Sequence, residues 1–373
     1  MNLDDALPLL GGLSPAAFMR RHWQKKPLLV RQAWPGVAPP LERAALFALA
    51  GQEDVESRLV QRDGTGWRLR HGPLPRRALP PVARPGWTLL VQGLDLHVPA
   101  AHAMLRRFDF VPHARLDDLM VSWASDGGGV GPHLDSYDVF LIQVQGRRRW
   151  RIGRVRDAAW VEGVPLRILR RFEPEQEWVL EPGDMLYLPP RWGHDGIAEG
   201  ECMTASVGFR APARDELARE LLQRLADAVE DAAPARYADP RQAATAEPGR
   251  VPPALADFAA QAVARALATP HALPRALGEW LTDPKPQVWF EAGDAGAPRG
   301  GALRLDARTR MLYNERHVFV NGESWRAGGR DAQLLRRLAD RREIGAAERA
   351  RLSPDAQAVL AEWLAAGWMI EEE

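Results

Sequence analysis

The chain has 373 residues, enough for two or three domains of roughly 100–200 residues each. Lysine plus arginine and aspartate plus glutamate both number 49, so the formal charge is zero and the balance does not favour a general nucleic-acid binder or a membrane-surface protein. The single cysteine, Cys202, excludes an internal disulfide framework. The sequence has no signal-peptide core and no apolar run that approaches roughly 20 residues, so the chain is predicted to be soluble, intracellular and without a membrane span.

The first 210 residues are predicted to be mainly short strands. Ser14 and Pro15 have the pattern of a helix N-cap and first helical residue. Further helices are predicted at 41–50 and 100–108, and strands at 27–31, 87–93, 119–125, 177–181, 185–190 and 202–209. Short strands separated by turn signals are typical of a sandwich or barrel. The predicted fold class is mixed α and β, with a cupin-like double-stranded β-helix, or jelly roll.

The stretch 127–153 carries the clearest chemical signal. It places His133 and Asp135 directly after a glycine-rich turn, and residues two apart on an extended chain face the same side. An imidazole beside a carboxylate supplies two ligands of the facial triad that binds Fe(II) and leaves positions open. His194, which follows a second strand and a Pro-Pro-Arg-Trp-Gly turn, is the candidate third ligand.

The same stretch contains an arginine that needs an anionic partner. Residues 138–144 are predicted to form a strand, Gln145-Gly146 a tight turn, and 147–152 the returning strand. On that strand Arg148 shares a face with Trp150 and Ile152, so its guanidinium is predicted to be buried.

Two partners for Arg148 remain open. In a structural interpretation, Asp184 or Glu181 pairs with it. In a functional interpretation, the guanidinium clamps the carboxylate of a ligand through two parallel hydrogen bonds. An iron site beside a buried arginine indicates a 2-oxoglutarate-dependent oxygenase.

The composition changes at Ala211. Residues 214–230 are predicted to be helical, with Leu217, Leu221, Leu222, Leu225 and Val229 on one apolar stripe. A polar loop at 235–252 and helices near 254–268 and 272–282 follow. Because this segment cannot bury its stripe alone, we expect it to pack on the barrel or on a second copy, and we favour a homodimer.

The last segment is predicted to be a winged-helix-like module. Strands are predicted at 303–306, 311–313, 317–320 and 367–370, an Asn321-Gly322 turn between strands, and helices at 331–341 and 354–366. The acidic tail at 371–373 and the mixed charges argue against direct DNA binding. The predicted domains are 1–210, 211–286 and 287–373.

Competing interpretations of the histidines also stand at this point. His133 and Asp135 could form a structural hydrogen-bonded pair in a loop, and His194 could be a surface histidine. Zinc is a competing metal, but it favours closed sites with cysteine or several histidines when structural. Phosphomannose-isomerase-like cupins use histidine and carboxylate ligands too, in larger sets.

The segment from Pro132 to Gly153, Pro-His-Leu-Asp-Ser-Tyr-Asp-Val-Phe-Leu-Ile-Gln-Val-Gln-Gly-Arg-Arg-Arg-Trp-Arg-Ile-Gly, resembles bacterial JmjC-type ribosomal oxygenases. The resemblance extends over essentially the whole chain and is most specific at 120–153 and 182–209. It implies a JmjC barrel, a helical dimerisation region and a C-terminal winged-helix domain. Asp135 is followed here by Ser136 where the common bacterial form has Gln, a difference that does not touch the ligands.

This resemblance implies the cofactors and the site residues. Fe(II) would be held by His133, Asp135 and His194, and the distal carboxylate of the cosubstrate 2-oxoglutarate by Arg148, with Ser122 as a second contact. The implied reaction is β-hydroxylation of an arginine in the sixteenth large-subunit ribosomal protein, in the cytoplasm. Tyr137 and Asp138 could line the pocket without an assigned role.

Other functions stay open beside this one. They are histidine hydroxylation of another ribosomal protein, oxidation of a small molecule with the same cofactors, and a catalytically silent JmjC binding module. The additional domains argue against a small substrate, and the intact triad with Arg148 argues against a silent module.

Overall fold

The computed structural model describes residues 2–64, 66–228, 236–292 and 300–372. These residues form two compact units, Met1–Ala211 with Lys285–Trp289, and Pro212–Pro284 with Phe290–Glu373. The three domains predicted above remain a prediction. Val229 of the apolar stripe and Glu373 of the acidic tail lie outside the described residues. None of the described helices is long and apolar enough to span a bilayer.

The first unit is built on one antiparallel sheet with three short α-helices. The strands are β1 (Leu28–Val30), β2 (Ser57–Asp63), β3 (Gly66–His71), β4 (Trp87–Val91), β5 (Leu116–Ala124), β6 (His133–Leu134), β7 (Val139–Arg154), β8 (Gln176–Leu180), β9 (Met185–Leu188) and β10 (Trp192–Phe209). The helices are α1 (Pro15–Arg21), α2 (Arg43–Leu49) and α3 (Pro99–Leu105). The strand order is β1-β9-β7-β10-β5-β4-β2-β3, with β6 on β10 and β8 on β7.

The predicted start of α1 is confirmed, because the Ser14 hydroxyl accepts a hydrogen bond from the Ala17 amide at 3.2 Å. α1 then places Phe18 in an aromatic core with Phe140 and Tyr187, whose ring centroids lie 5.4 and 4.9 Å from that of Phe18. This core fixes the N-terminal helix on the sheet that carries the candidate site.

The predicted turn at Gln145-Gly146 is wrong. β7 runs without a break from Val139 to Arg154, and Gly146 lies within it at φ +63°. The pairing between β7 and β10 shifts register between Glu199 and Met203, opposite this glycine. A left-handed glycine is compatible with a turn and with a β-bulge alike, and here it forms a bulge. Arg148, Trp150 and Ile152 nonetheless share a buried face, as predicted.

Gly146→Ala is expected to lower the free energy of unfolding by about 3 kcal/mol. A Cβ would meet the Glu201 carbonyl oxygen at 2.1 Å, and the left-handed backbone adds roughly 1–2 kcal/mol for a non-glycine residue. Gly200→Ala is a matched control, because Gly200 also has a positive φ of +74° but no atom lies within 4 Å of its added Cβ. Urea denaturation should show the larger loss at Gly146; equal losses would contradict the bulge packing.

The hairpin formed by β2 and β3 has no counterpart in the prediction. β2 contains only two apolar residues, Leu59 and Val60, and in β3 arginines alternate with Trp67 and Leu69, so neither strand has the apolar run typical of a buried strand. Pairing with β4 nevertheless buries Leu59 and Val60. The hairpin extends the sheet beyond β4 and brings Trp67 to the glycine-rich loop that precedes His133.

The second unit combines helices with two three-stranded sheets. The helices are α4 (Arg214–Asp227), α5 (Pro253–Leu267), α6 (Ala272–Thr282), α7 (Gly329–Arg341), α8 (Ala346–Arg349) and α9 (Pro354–Ala365). The strands are β11 (Leu303–Leu305), β12 (Met311–Tyr313), β13 (His317–Val320), β14 (Glu323–Arg326), β15 (Glu343–Ile344) and β16 (Met369–Glu371), in the orders β15-β11-β16 and β12-β13-β14. Leu338 of α7 and Trp363 of α9 are central to its core.

The predicted turn at Asn321-Gly322 is confirmed. Both residues have positive φ, +48° and +89°, as a two-residue hairpin turn requires, and they join β13 to β14. β14, β15 and α8 were missed, and each is only two to four residues long. Short elements of this size do not produce a clear periodicity.

Candidate metal and cosubstrate site

His133, Asp135 and His194 converge on one point. One ligand atom from each lies within 4.8 Å of the others. β6 pairs with β10 so that His133 is directly opposite His194, and their ring centroids are 4.2 Å apart. Asp135 follows β6, with a carboxylate oxygen 3.6 Å from Nε2 of His194. This set of two imidazoles and one carboxylate matches the donor types of an open Fe(II) site.

Backbone carbonyls fix the orientation of both imidazoles. Nδ1 of His133 lies 2.8 Å from the Gly131 carbonyl oxygen, and Nδ1 of His194 lies 3.1 Å from that of Trp192. A carbonyl oxygen only accepts hydrogen bonds, so each Nδ1 carries the proton and donates it. Nε2 of each ring is then the free lone pair, as in metal sites where a carbonyl sets the tautomer.

Burial keeps His194 neutral. The ring is buried among Trp150 and the strand backbone, and this burial, with a smaller contribution from His133, lowers the pKa of His194 to about 4, although Asp135 acts in the opposite direction. A neutral imidazole is the form that binds a metal. His194 therefore offers its lone pair at neutral pH without prior loss of a proton.

Arg148 and His194 both contact the Trp150 ring, and Arg148 has an incomplete set of hydrogen-bond partners. Its side chain is buried, and Nη1 donates to the Ser122 hydroxyl at 3.0 Å. Within the described part of the chain, Nε and Nη2 of Arg148 have no hydrogen-bond partner although they are buried. A buried guanidinium with two free donors is costly unless an anion completes it.

Neither carboxylate considered as a structural partner contacts Arg148. Asp184 instead pairs with Arg31 at 2.5 Å and accepts from the amides of Gln32 and Glu181. The side chain of Glu181 is exposed. The structure thus favours the functional interpretation, in which a ligand supplies the carboxylate.

The two residues without a predicted role lie in different environments. Tyr137 lies close to the triad carboxylate of Asp135, and burial of its hydroxyl together with the negative charges of Asp135, Asp118 and Asp117 raises the pKa of Tyr137 above its usual range. Asp138 is fully buried away from the triad, where it accepts from the Tyr187 hydroxyl at 2.6 Å. Tyr137 therefore belongs to the site, whereas Asp138 supports the fold.

Trp67 is a site residue that the sequence did not indicate. The edge of its ring would lie 2.6 Å from a Cβ at Gly131, whose φ of +92° also excludes most side chains. Trp67 therefore covers the loop that leads into His133. Only the pairing of β3 beyond β2 brings it there, and that pairing leaves no local signal in the sequence.

Comparison with known proteins identifies two family regions in the chain. Residues 103–217 match the JmjC domain, and residues 265–369 match the ROXA-like winged helix. The first region contains the whole triad and Arg148. Together the matches confirm the predicted fold class, a JmjC cupin-like sheet with a C-terminal winged-helix domain.

Similar proteins and solved structures match between 54% and 95% of the chain. The ribosomal protein uL16 3-hydroxylase of Escherichia coli is 36% identical over 321 residues, which are 82% of this chain and 84% of that protein. A probable ribosomal oxygenase of Haemophilus influenzae is 39% identical over 205 residues, 54% of this chain and 50% of that protein. YcfD, a ribosomal oxygenase from Escherichia coli solved with cobalt and 2-oxoglutarate, superposes with a TM-score of 0.80 at 32% identity, over 95% of this chain and 97% of that one. The chain therefore belongs to the JmjC-type ribosomal oxygenases, the family that includes the uL16 3-hydroxylase.

Proposed function

We propose that this protein is an Fe(II)- and 2-oxoglutarate-dependent hydroxylase of ribosomal protein uL16. The observation that carries the proposal is the combination of a triad of His133, Asp135 and His194 with a buried, incompletely paired arginine on the same sheet. The relative named as a uL16 3-hydroxylase, and the ribosomal oxygenase solved with cobalt and 2-oxoglutarate, support both parts of it.

The triad residues fit the metal by their donor chemistry. His133 and His194 would each bind through Nε2, since the Gly131 and Trp192 carbonyls hold the Nδ1 protons, and Asp135 would bind through a carboxylate oxygen. Bound Fe(II), oxygen and 2-oxoglutarate supply the oxidising chemistry, in which 2-oxoglutarate becomes succinate and carbon dioxide.

Arg148 fits the distal carboxylate of 2-oxoglutarate by charge and geometry. A guanidinium offers parallel donors that match a carboxylate, and the two unpaired nitrogens of Arg148 have no other acceptor among the described residues. Ser122 holds the remaining nitrogen in place. Arg148 and Ser122 would thus position the cosubstrate, and the cosubstrate carboxylate would neutralise the buried guanidinium.

Ser122→Ala is expected to raise the KM for 2-oxoglutarate about tenfold and to leave kcat nearly unchanged. The change removes one hydrogen bond to a charged group, worth roughly 1.5–3 kcal/mol, and frees Arg148 to move. Succinate formation at varied 2-oxoglutarate measures both constants. An unchanged KM would contradict a role for Ser122 in positioning Arg148.

We propose an arginine of uL16 as the modified residue, hydroxylated at the β-carbon. The support is the relative named as a ribosomal protein uL16 3-hydroxylase, since position 3 of an amino acid is its β-carbon. Histidine hydroxylation of another ribosomal protein is the second candidate, since relatives include proteins named histidyl-hydroxylases. Those relatives are only 24–27% identical to this chain.

Succinate release provides the first test of this function. With Fe(II), 2-oxoglutarate and oxygen supplied, adding uL16 is expected to increase succinate formation at least severalfold. Another basic ribosomal protein is the control for charge alone and should not give this increase. Equal stimulation by both proteins, or by neither, would contradict selectivity for uL16. Stimulation by a small metabolite instead would favour the small-molecule oxygenase.

We also propose that the helical segment 211–286 forms a homodimer, in the cytoplasm where ribosomal proteins are made. Its helices present large apolar side chains to solvent, which is uncommon for a monomer. They include Leu222, Leu255, Val263, Leu267 and Leu273. Val263 and Leu267, exposed by 60% and 50%, lie one turn apart on the same side of α5.

The double variant Val263→Glu/Leu267→Glu is expected to convert a dimer into a monomer. Two carboxylates in an apolar interface would cost several kcal/mol of association free energy through desolvation. Light scattering after gel filtration measures the mass. Ala254→Glu, at an exposed position on the face of α5 opposite Val263 and Leu267, is the matched control and should leave the dimer intact. A monomeric wild-type protein would contradict the proposal outright.

A further inference from the structure

The second unit contains a cavity of about 750 Å³ between α4, α5, α6 and the β13–β14 hairpin. Among the described residues that line it, none is an aspartate or a glutamate. Six basic side chains line it instead: Arg265, His271, Arg275, Arg316, His317 and Arg326. The formal charge of the whole chain is zero, yet the charged residues that line this cavity are all basic.

Most of this charge is uncompensated. Arg265, Arg316 and Arg326 form no ion pair within the described part of the chain. Arg275 lies 3.5 Å from Glu279, whose carboxylate also accepts from the Ser324 hydroxyl at 2.6 Å. One carboxylate shared in this way does not balance four guanidinium groups.

Strand pairing and helix periodicity place these basic side chains close to one another. β13 and β14 pair so that His317 is opposite Arg326, and His271 and Arg275 lie one turn apart at the start of α6. Burial, then Arg275, His271 and Arg326, lower the pKa of His317. Nδ1 of His317 is buried without a hydrogen-bond partner in the described chain, so this ring nitrogen is available to a ligand.

We propose that this cavity binds a ligand with two or more phosphate groups. Guanidinium groups match phosphate oxygens with paired, charge-assisted hydrogen bonds, and several arginines favour a multiply charged ligand over a single carboxylate. The volume lies within the roughly 300–1,000 Å³ typical of ligand sites. Such phosphates could come from consecutive linkages of an RNA strand or from a free polyphosphate, and the two sources share this chemistry.

The proposal is independent of the hydroxylase site. None of the six basic residues belongs to the triad or contacts Arg148, and all lie in the other compact unit. By helical periodicity, the face of α5 that lines the cavity, with Phe258, Gln261 and Arg265, is also opposite Val263 and Leu267. The proposed dimer contact therefore leaves the cavity lining free.

Titration of the full-length protein tests the proposal. In low salt with EDTA and no iron, inorganic pyrophosphate is titrated by calorimetry, and a labelled ten-nucleotide single-stranded RNA by fluorescence anisotropy. At least one probe is expected to bind, and the double variant Arg316→Gln/Arg326→Gln is expected to weaken that binding at least tenfold. Both arginines are exposed, so these changes should leave the fold intact.

Two controls separate this cavity from other cationic sites. Arg330→Gln/Arg341→Gln removes the same two charges from exposed positions on α7 that do not line the cavity, and should change affinity less than twofold. Arg148→Met removes the buried arginine proposed for 2-oxoglutarate and should also leave affinity unchanged. No binding of either probe, or equal losses in the Arg316→Gln/Arg326→Gln variant and the Arg330→Gln/Arg341→Gln control, would overturn the proposal.

The two probes also distinguish the sources of phosphate. An RNA backbone is the ligand if RNA binds at least tenfold tighter than pyrophosphate and the Arg316→Gln/Arg326→Gln variant reduces the salt dependence of binding. The slope of log affinity against log salt should then become shallower by about 1.4, because each phosphate contact to a single strand contributes about 0.7. If pyrophosphate binds as tightly as RNA, the site is assigned to a free polyphosphate. Either result supports a multivalent phosphate site.

Discussion

His133→Ala is expected to lower the rate of uL16-dependent succinate formation by more than about 100-fold. Partners that merely orient metal ligands are commonly worth 10–100-fold in metal affinity or activity, so loss of a ligand should cost more. Only Asp135 and His194 would then remain of the three side chains whose ligand atoms lie within 4.8 Å of one another. Initial rates at saturating Fe(II) measure the effect.

His113→Ala is the matched control for this change. His113 also lies in the first unit, and its ring contacts Asp109 at 3.0 Å. It is not among the triad residues, so the variant should retain near wild-type activity. Retention of more than a tenth of the rate in His133→Ala, with bound iron confirmed, would contradict the triad. Circular dichroism should show both variants folded, because the His133 side chain is only partly buried.

Arg148→Met is expected to raise the KM for 2-oxoglutarate by about 100-fold or more. Removing one partner of a buried charge pair typically costs 2–5 kcal/mol, and the lone carboxylate of the cosubstrate would be left buried without a counter-charge. The neighbouring Arg149→Met is the control. Arg149 points to the opposite, exposed face of β7, where it pairs with Glu177 and Glu199, and its loss should leave the KM unchanged.

Arg148→Met is also expected to affect stability: it weakens cosubstrate binding, but it should not destabilise the free protein. Without cosubstrate, Arg148 is a buried charge with two unsatisfied nitrogens, and replacing buried ionic groups by apolar ones of similar volume is often neutral or stabilising by 1–4 kcal/mol. The free Arg148→Met protein should therefore unfold at an equal or higher temperature than wild type. It should also lose the stabilisation that 2-oxoglutarate gives wild type, about 2.7 kcal/mol at 100 times Kd. A destabilised free variant would indicate a structural role for Arg148.

The triad could be predicted because its signal is chemical and local. His133 and Asp135 have the two-residue spacing that places both side chains on one face of an extended chain, and His194 follows a recognisable strand and turn. Their convergence depends on the pairing of β6 with β10, which joins residues about 60 positions apart. The sequence identified the ligand types, and tertiary pairing supplies the distances.

Features that depend on long-range pairing alone were missed or misassigned. Gly146 has the backbone conformation of a turn, and only the neighbouring β10 makes it a bulge. Trp67 reaches the triad loop because β3 adds to the edge of the sheet. The basic cavity draws its arginines from α5, α6 and the β13–β14 hairpin, so no short segment of the sequence shows the cluster.

Mass spectrometry of uL16 tests the central claim most directly. Purified uL16 is incubated with the protein, Fe(II), 2-oxoglutarate and oxygen, with the His133→Ala variant in parallel, and fragment spectra locate any added oxygen. We expect one oxygen atom on the side chain of a single arginine in the wild-type reaction and none with the variant. Unmodified uL16, in a reaction where 2-oxoglutarate is still consumed, would contradict the proposed substrate.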